Sequence, residues 1–105
     1  MKVNVDAPVL DTFKALAEPM RWRIVQLLAV EELCVCHLVE ELDVPQPLVS
    51  HHLKILREAG LVESSKFRYW TYYRLRTGPL AETGRALMEL ADATSGGSAP
   101  RRPCC

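Results

Sequence analysis

The sequence predicts a mainly α-helical domain carrying one small β-hairpin, and three observations predict it. Apolar residues recur at three- and four-residue spacing through most of the chain, as amphipathic helices require. One segment, Leu61 to Leu75, instead collects β-branched and aromatic residues, the composition of strands. A length of 105 residues fits a single domain. The expected order is α-α-α-α-β-β-α. Residues 1–93 form the folded domain, and residues 94–105 form a flexible tail ending in a Cys-Cys pair.

The first helix is expected from Pro8 to Ala17, with Val9, Phe13, Leu16 and Ala17 on one stripe. Pro8 suits a first helical position, and Glu18-Pro19 ends the segment. The second helix runs from about Pro19 to Val30. Its Trp22, Ile24, Val25, Leu27 and Leu28 make it apolar on most sides, as befits the centre of a small core. A third helix spans Cys34 to Leu42, and Asp43-Val44-Pro45 breaks it. The fourth runs from Gln46 to about Ala59, with Gly60 as its left-handed stop. Val49, Leu53 and Leu56 line its inner side, while Gln46, Ser50, His51, Lys54 and Arg57 face outward. His52 neighbours the apolar stripe and is read as structural. A short helix, a tight turn and a second helix with a polar outer face is the helix-turn-helix pattern.

Leu61 to Ser65 and Tyr69 to Leu75 read as two strands around a basic tip, Lys66-Phe67-Arg68, that is, a wing. Both alternating residue sets of the second strand carry aromatics, so its buried face is not assigned. Thr77-Gly78-Pro79 opens a last helix. Leu80, Gly84, Leu87 and Ala91 form its stripe, with Met88 and Leu90 alongside. Pairing with the same helix of a second subunit is its preferred use, and packing on its own domain is the alternative. The whole is a winged helix-turn-helix, expected as a homodimer through the terminal helices.

Net charge is formally zero. Its distribution is uneven. Residues 45–76 hold six basic and two acidic side chains, a local +4, and residues 1–44 hold four basic and eight acidic, a local −4. A local basic face is what phosphate contact needs. The chain has no apolar run of about 18 residues, and Met1 to Asp6 lacks the apolar core of a signal peptide. The expected location is the cytoplasm, with no membrane partner. In that compartment the four cysteines are better suited to metal binding or reactivity than to disulfides. Cys34 and Cys36 lie two apart, and Cys104 and Cys105 are adjacent. Both spacings suit a soft ion that takes several sulfurs.

Several stretches together resemble the ArsR/SmtB family of bacterial metal- and metalloid-sensing repressors, over about Val9 to Ala93. Phe13-Lys14-Ala15-Leu16-Ala17-Glu18-Pro19-Met20-Arg21 looks like the family's opening signature. Gln46 through Val62 is similar to its recognition helix and first wing strand, and Trp70 to Leu75 to its second. Glu32-Leu33-Cys34-Val35-Cys36-His37-Leu38 resembles the arsenic-repressor branch, in which a Cys-Val-Cys run binds trivalent arsenic or antimony. The resemblance implies a repressor, not an enzyme, that sits on an imperfectly palindromic operator as a homodimer. It leaves the DNA when arsenic(III) or antimony(III) binds; no organic cofactor is implied. Val39 stands where that branch has a third cysteine, Arg68 where the wing often has glycine, and Pro45 where a serine often caps the recognition helix. The last helix lacks the ligands of the zinc-sensing branch.

The candidate metal ligands are therefore Cys34, Cys36, Cys104 and Cys105. Trivalent arsenic prefers three thiolates, so a third ligand must come from Cys104, Cys105 or His37. The ten residues Thr94 to Pro103 span at most ~35 Å when extended and ~18 Å as a flexible chain. His37 favours a borderline ion such as zinc or cadmium. Positions two apart on a helix point ~200° apart. Gathering Cys34 and Cys36 onto one ion is thus expected to unwind the start of their helix and displace the recognition helix it supports. The candidate DNA contacts are Gln46, Pro47, Ser50, His51, Lys54, Arg57, Lys66 and Arg68, with glutamine suited to adenine and the cations to phosphate. A redox-responsive repressor using the same thiols is the alternative. An enzyme is disfavoured, because no phosphate-cradling loop and no Cys-x-x-Cys in a βαβ setting is present.

Overall fold

A computed structural model describes residues 7–94 and Pro103. Five helices and three short strands follow in order: α1 (Ala7–Leu16), α2 (Pro19–Leu28), β1 (Leu33–Cys34), α3 (Val35–Leu42), α4 (Gln46–Glu58), β2 (Val62–Phe67), β3 (Trp70–Leu75) and α5 (Thr77–Thr94). The expected helices are all present, and α3–α4 is the helix-turn-helix. The sheet has one strand more than expected. It is antiparallel in the order β1-β3-β2, so the wing's β3 pairs on both edges. Leu33 faces Tyr73 and Cys34 faces Tyr72 across β1–β3. Cys34 therefore belongs to a strand rather than to the expected helix, which starts one residue later. The hairpin turn also moves. Lys66 and Phe67 lie within β2, and Arg68-Tyr69 makes the connection. Arg68 has φ +59°, the conformation that favours glycine.

The core gathers the inner faces of α2, α3 and α4 against the base of the wing. Ile24, Leu38, Val49, Leu53, Leu56, Leu61 and Val62 are essentially without solvent contact. The anticipated stripe Val49, Leu53 and Leu56 is thus the buried face of α4. Trp22 departs from expectation: it is half exposed, and α2 buries Ile24, Val25 and Leu28 instead. The end of α4 is a Schellman motif. The Leu61 amide donates to the Leu56 carbonyl at 2.9 Å and the Gly60 amide to the Arg57 carbonyl at 3.0 Å, with Gly60 at φ +77°. Leu56 and Leu61 both bury there, which fixes the angle between recognition helix and wing.

A polar cluster ties α4 to the first two helices. Glu18 caps α2, accepting the Arg21 amide at 2.9 Å, and Pro19 fills the first turn. The Arg21 side chain donates to the last carbonyls of α1, Ala15 at 2.6 Å and Lys14 at 3.4 Å. Its remaining nitrogen meets His52 Nδ1 at 3.2 Å. Arg21 carries only donors, so Nδ1 accepts and the ring is neutral. His52 is buried, as its place beside the stripe suggests. Burial, with the Arg21 and His51 charges, holds its pKa below the ordinary 6.5, against the opposing pull of Glu18.

On acidification the unfolded chain takes up the His52 proton before the folded one does. The fold therefore has its full stability above 6.5 and loses it as pH falls through 6.5 toward the lower folded value. Denaturant midpoints are expected to drop between pH 7 and pH 5.5, and His52→Gln is expected to flatten that slope whatever its effect on absolute stability.

Candidate thiol site and nucleic-acid interface

The local sequence places Cys34 at a junction. It ends β1 and caps α3, with extended backbone at φ −88° and ψ 168°. Its sulfur accepts the His37 amide, while the His37 ring Nδ1 accepts the Cys34 amide at 3.2 Å. This is a reciprocal capping box, with cysteine and histidine in place of the usual hydroxyl and carboxylate. The same Nδ1 lies 3.2 Å from Cys34 Sγ. Because Cys34 is extended, its side chain does not follow the helical rotation that would aim it away from Cys36. The Sγ atoms of Cys34 and Cys36 and a His37 ring nitrogen all lie within 4.8 Å of one another. The expectation that the helix must unwind to gather the two sulfurs is therefore corrected: β1–β3 pairing has already brought them together.

The two thiols differ. Cys34 is buried and Cys36 exposed. Burial pushes the Cys34 pKa up, but the Cys36 thiol and the His37 and Cys36 amides donate to its sulfur and bring it below its ordinary value. Cys36 is pushed up, first by donating to Cys34, then by burial and by the neighbouring charge. Of the two thiols, Cys34 is thus the readier to ionise, and it lies at the start of α3, where helix amides and dipole favour negative charge. The donor set fits a soft, thiophilic ion through two sulfurs. Cys104 and Cys105 lie outside the described residues.

A cleft of about 250 Å³ opens beside the sulfurs, lined by Cys34, Val35, Cys36, Gln46, Trp70 and Thr71. It joins the thiols, the first turn of the recognition helix and the start of β3. Trp70 and Thr71 are not among the residues the sequence singles out. Their place follows from the β1–β3 pairing, which a two-residue strand leaves invisible to periodicity. The one available sign is the Cys-x-x-His spacing, which matches that of a capping box.

All eight candidate DNA residues are exposed. Gln46, Pro47, Ser50, His51, Lys54 and Arg57 lie on the outer side of α4, opposite its buried stripe. Lys66 and Arg68 project from the wing, with the Arg68 guanidinium 5.6 Å from the centre of the Phe67 ring. Tyr69 beside them is almost wholly exposed, and Phe67 and Trp70 are more than half so. The other two cations of this half are engaged: Arg74 pairs with Glu63 across the hairpin, and Arg76 Nε lies 3.9 Å from Glu63. Lys54, Arg57, Lys66 and Arg68, on α4 and the wing, are the cations of this half without an acidic partner among the described residues, while Arg74 and Arg76 share one carboxylate and keep a net positive charge between them. Among the described residues no helix is long and apolar enough to cross a membrane.

Comparison with known proteins agrees with this architecture. Residues 18–64 match the family profile described as bacterial regulatory protein, arsR family. An uncharacterised HTH-type transcriptional regulator of Methanocaldococcus jannaschii is 40% identical over 81 residues, covering 76% of this chain and 91% of that protein. The arsenical resistance operon repressor of Escherichia coli is 48% identical over 67 residues, covering 63% of this chain but only 57% of the repressor's length. An ArsR-like transcriptional regulator from Rhodococcus sp. RHA1 superposes with a TM-score of 0.75 at 30% identity, covering 83% of this chain and 82% of that one. The chain belongs to the ArsR family of winged helix-turn-helix, DNA-binding transcriptional regulators.

Proposed function

We propose that this regulator is a repressor that holds operator DNA as a homodimer and releases it when arsenic(III) or antimony(III) is taken up by Cys34 and Cys36. The observation that carries the reading is the shared cleft: Cys34 and Cys36 line it together with Gln46 of the recognition helix and Trp70 of the wing. Such an ion, when bound, would tie the two sulfurs together and take up the sulfur lone pairs that now serve as hydrogen-bond acceptors. The chain's own residues do the rest. Cys34 is pinned by its backbone to Tyr72, so a pull on its sulfur is a pull on the wing. Its amide and sulfur also hold the cap of α3, which packs on α4. A ligand that competes for this sulfur therefore disturbs both arms of the DNA-binding surface. For arsenite itself, which takes three ligands, the candidates for the third are Cys104, Cys105 and His37. The proximity of His37 supports a second reading, in which a borderline ion such as zinc or cadmium is sensed.

Dimerisation is supported by apolar surface at the chain's ends. Leu87, Met88 and Leu90 of α5 are half exposed or more, and Leu10 and Phe13 of α1 are exposed beside that helix pair. Residues of this kind gathered on two adjacent helices suit a self-complementary contact. A twofold dimer would read half-sites one helical turn, ~34–36 Å, apart.

In a mobility-shift titration, arsenite is expected to release the wild-type protein from its operator, whereas Cys34→Ser and Cys36→Ser are expected to stay bound. Normal release of both variants would reject the thiol reading. For the DNA face, Lys54→Ala and Arg57→Ala are expected to weaken binding to all sequences alike. Each is expected to lower the slope of log affinity against log salt by about 1, because one phosphate fewer is neutralised. Gln46→Ala is expected to cost about 1–3 kcal/mol at one base position. Anisotropy titrations across a salt series measure both effects.

A further inference from the structure

We propose that the thiol cleft is shaped for a monosubstituted trivalent arsenical, R–As(OH)₂ with a compact hydrocarbon R, in preference to arsenite. The inference rests on the reading of Cys34 and Cys36 as metalloid ligands and names the ligand class more closely. Arsenite has three exchangeable oxygens and is best satisfied by three thiolates. Among the described residues only two sulfurs converge. The third donor in reach is an imidazole, a poor partner for so soft an ion. Its Nδ1 is also committed to the Cys34 amide at 3.2 Å.

A monosubstituted arsenical asks for two sulfurs and no more. Each As–O bond is replaced by an As–S bond, and each hydroxyl leaves as water. The two thiol protons, one from each cysteine, complete the two waters. The As–C bond stays intact, arsenic stays trivalent and no electrons are exchanged. The group R then needs an apolar place next to the sulfurs, and the cleft provides one. Val35, between the two cysteines, and Trp70 form walls on the same cavity that the sulfurs line. The cavity, about 250 Å³, is large enough for a methyl or phenyl group. Trp70 is 55% exposed, so an apolar group seated there removes aromatic surface from water.

The test uses the full wild-type chain, in which the tail thiols are free to complete an arsenite site, beside its C104S/C105S variant, in which Cys34 and Cys36 are the only thiols and fix the stoichiometry, with the probes phenylarsine oxide, methylarsonous acid and arsenite. Intact mass spectrometry reads stoichiometry and calorimetry reads affinity. In a W22F background, Trp70 is the only tryptophan, and its fluorescence reports occupancy of the cleft. The expected result is one organic arsenical per chain, bound about tenfold tighter than arsenite, a factor that burial of two methylene equivalents brings. Trp70→Ala is expected to erase this preference without weakening arsenite binding, and Trp70→Phe to keep it. Arsenite binding as tightly as the organic probes, or a preference untouched by Trp70→Ala, would overturn the inference while leaving the thiols as ligands. If C34S/C36S removes binding of none of the three probes, both the inference and the ligand reading fall.

Discussion

The backbone pairing of Leu33 and Cys34 with Tyr73 and Tyr72 constrains everything around it. It holds Cys34 extended, so that residue serves as a cap for α3 rather than as its first turn. The extended conformation then turns its sulfur toward Cys36 instead of away from it. The same pairing places Trp70 and Thr71 beside the thiols. A strand of two residues is weak on its own. It persists because β3 is already paired along its other edge with β2, six residues in register, and because Leu33 and Cys34 are both buried.

Behind this junction lies a rigid support. The recognition helix is fixed by its apolar stripe, by the Schellman turn into the wing, and by the Arg21–His52 contact to the first two helices. These three attachments act on different faces and at different ends. The thiol junction, by contrast, is held by two paired residues and one capping box. The sulfurs thus sit on the element with the shortest backbone pairing in the sheet, which is where a bound ligand has the least to displace.

The helical part of this architecture is legible in the sequence, and physical reasons explain where legibility stops. Val49, Leu53 and Leu56 recur at helical spacing over a long helix, so both the buried and the exposed faces of α4 can be read directly. The structural role of His52 is equally readable, because its position relative to that stripe is a local fact. Leu33-Cys34 does not show as a strand, because two residues contain no period and the partner strand lies almost forty positions away. The Cys-x-x-His cap is hidden for a different reason: its side chains are not those by which caps are normally recognised. Lys66 and Phe67 read as turn residues because Arg68, a non-glycine at positive φ, gives no sign of the tighter connection. Trp22 reads as core because composition carries no information on which side of a mostly apolar helix is covered. The engagement of Arg74 and Arg76 by Glu63 likewise needs the register of the hairpin.

The central claim is that the thiol cap and the wing are one mechanical unit, joined at β1–β3. Backbone hydrogen exchange with and without arsenite tests it most directly. Faster exchange at the amides of Leu33, Cys34, Tyr72 and Tyr73, with Leu53 and Leu56 in the interior of α4 unchanged, is the predicted result. Unaltered protection at all four, in protein shown by mass to carry arsenic on Cys34 and Cys36, would contradict it.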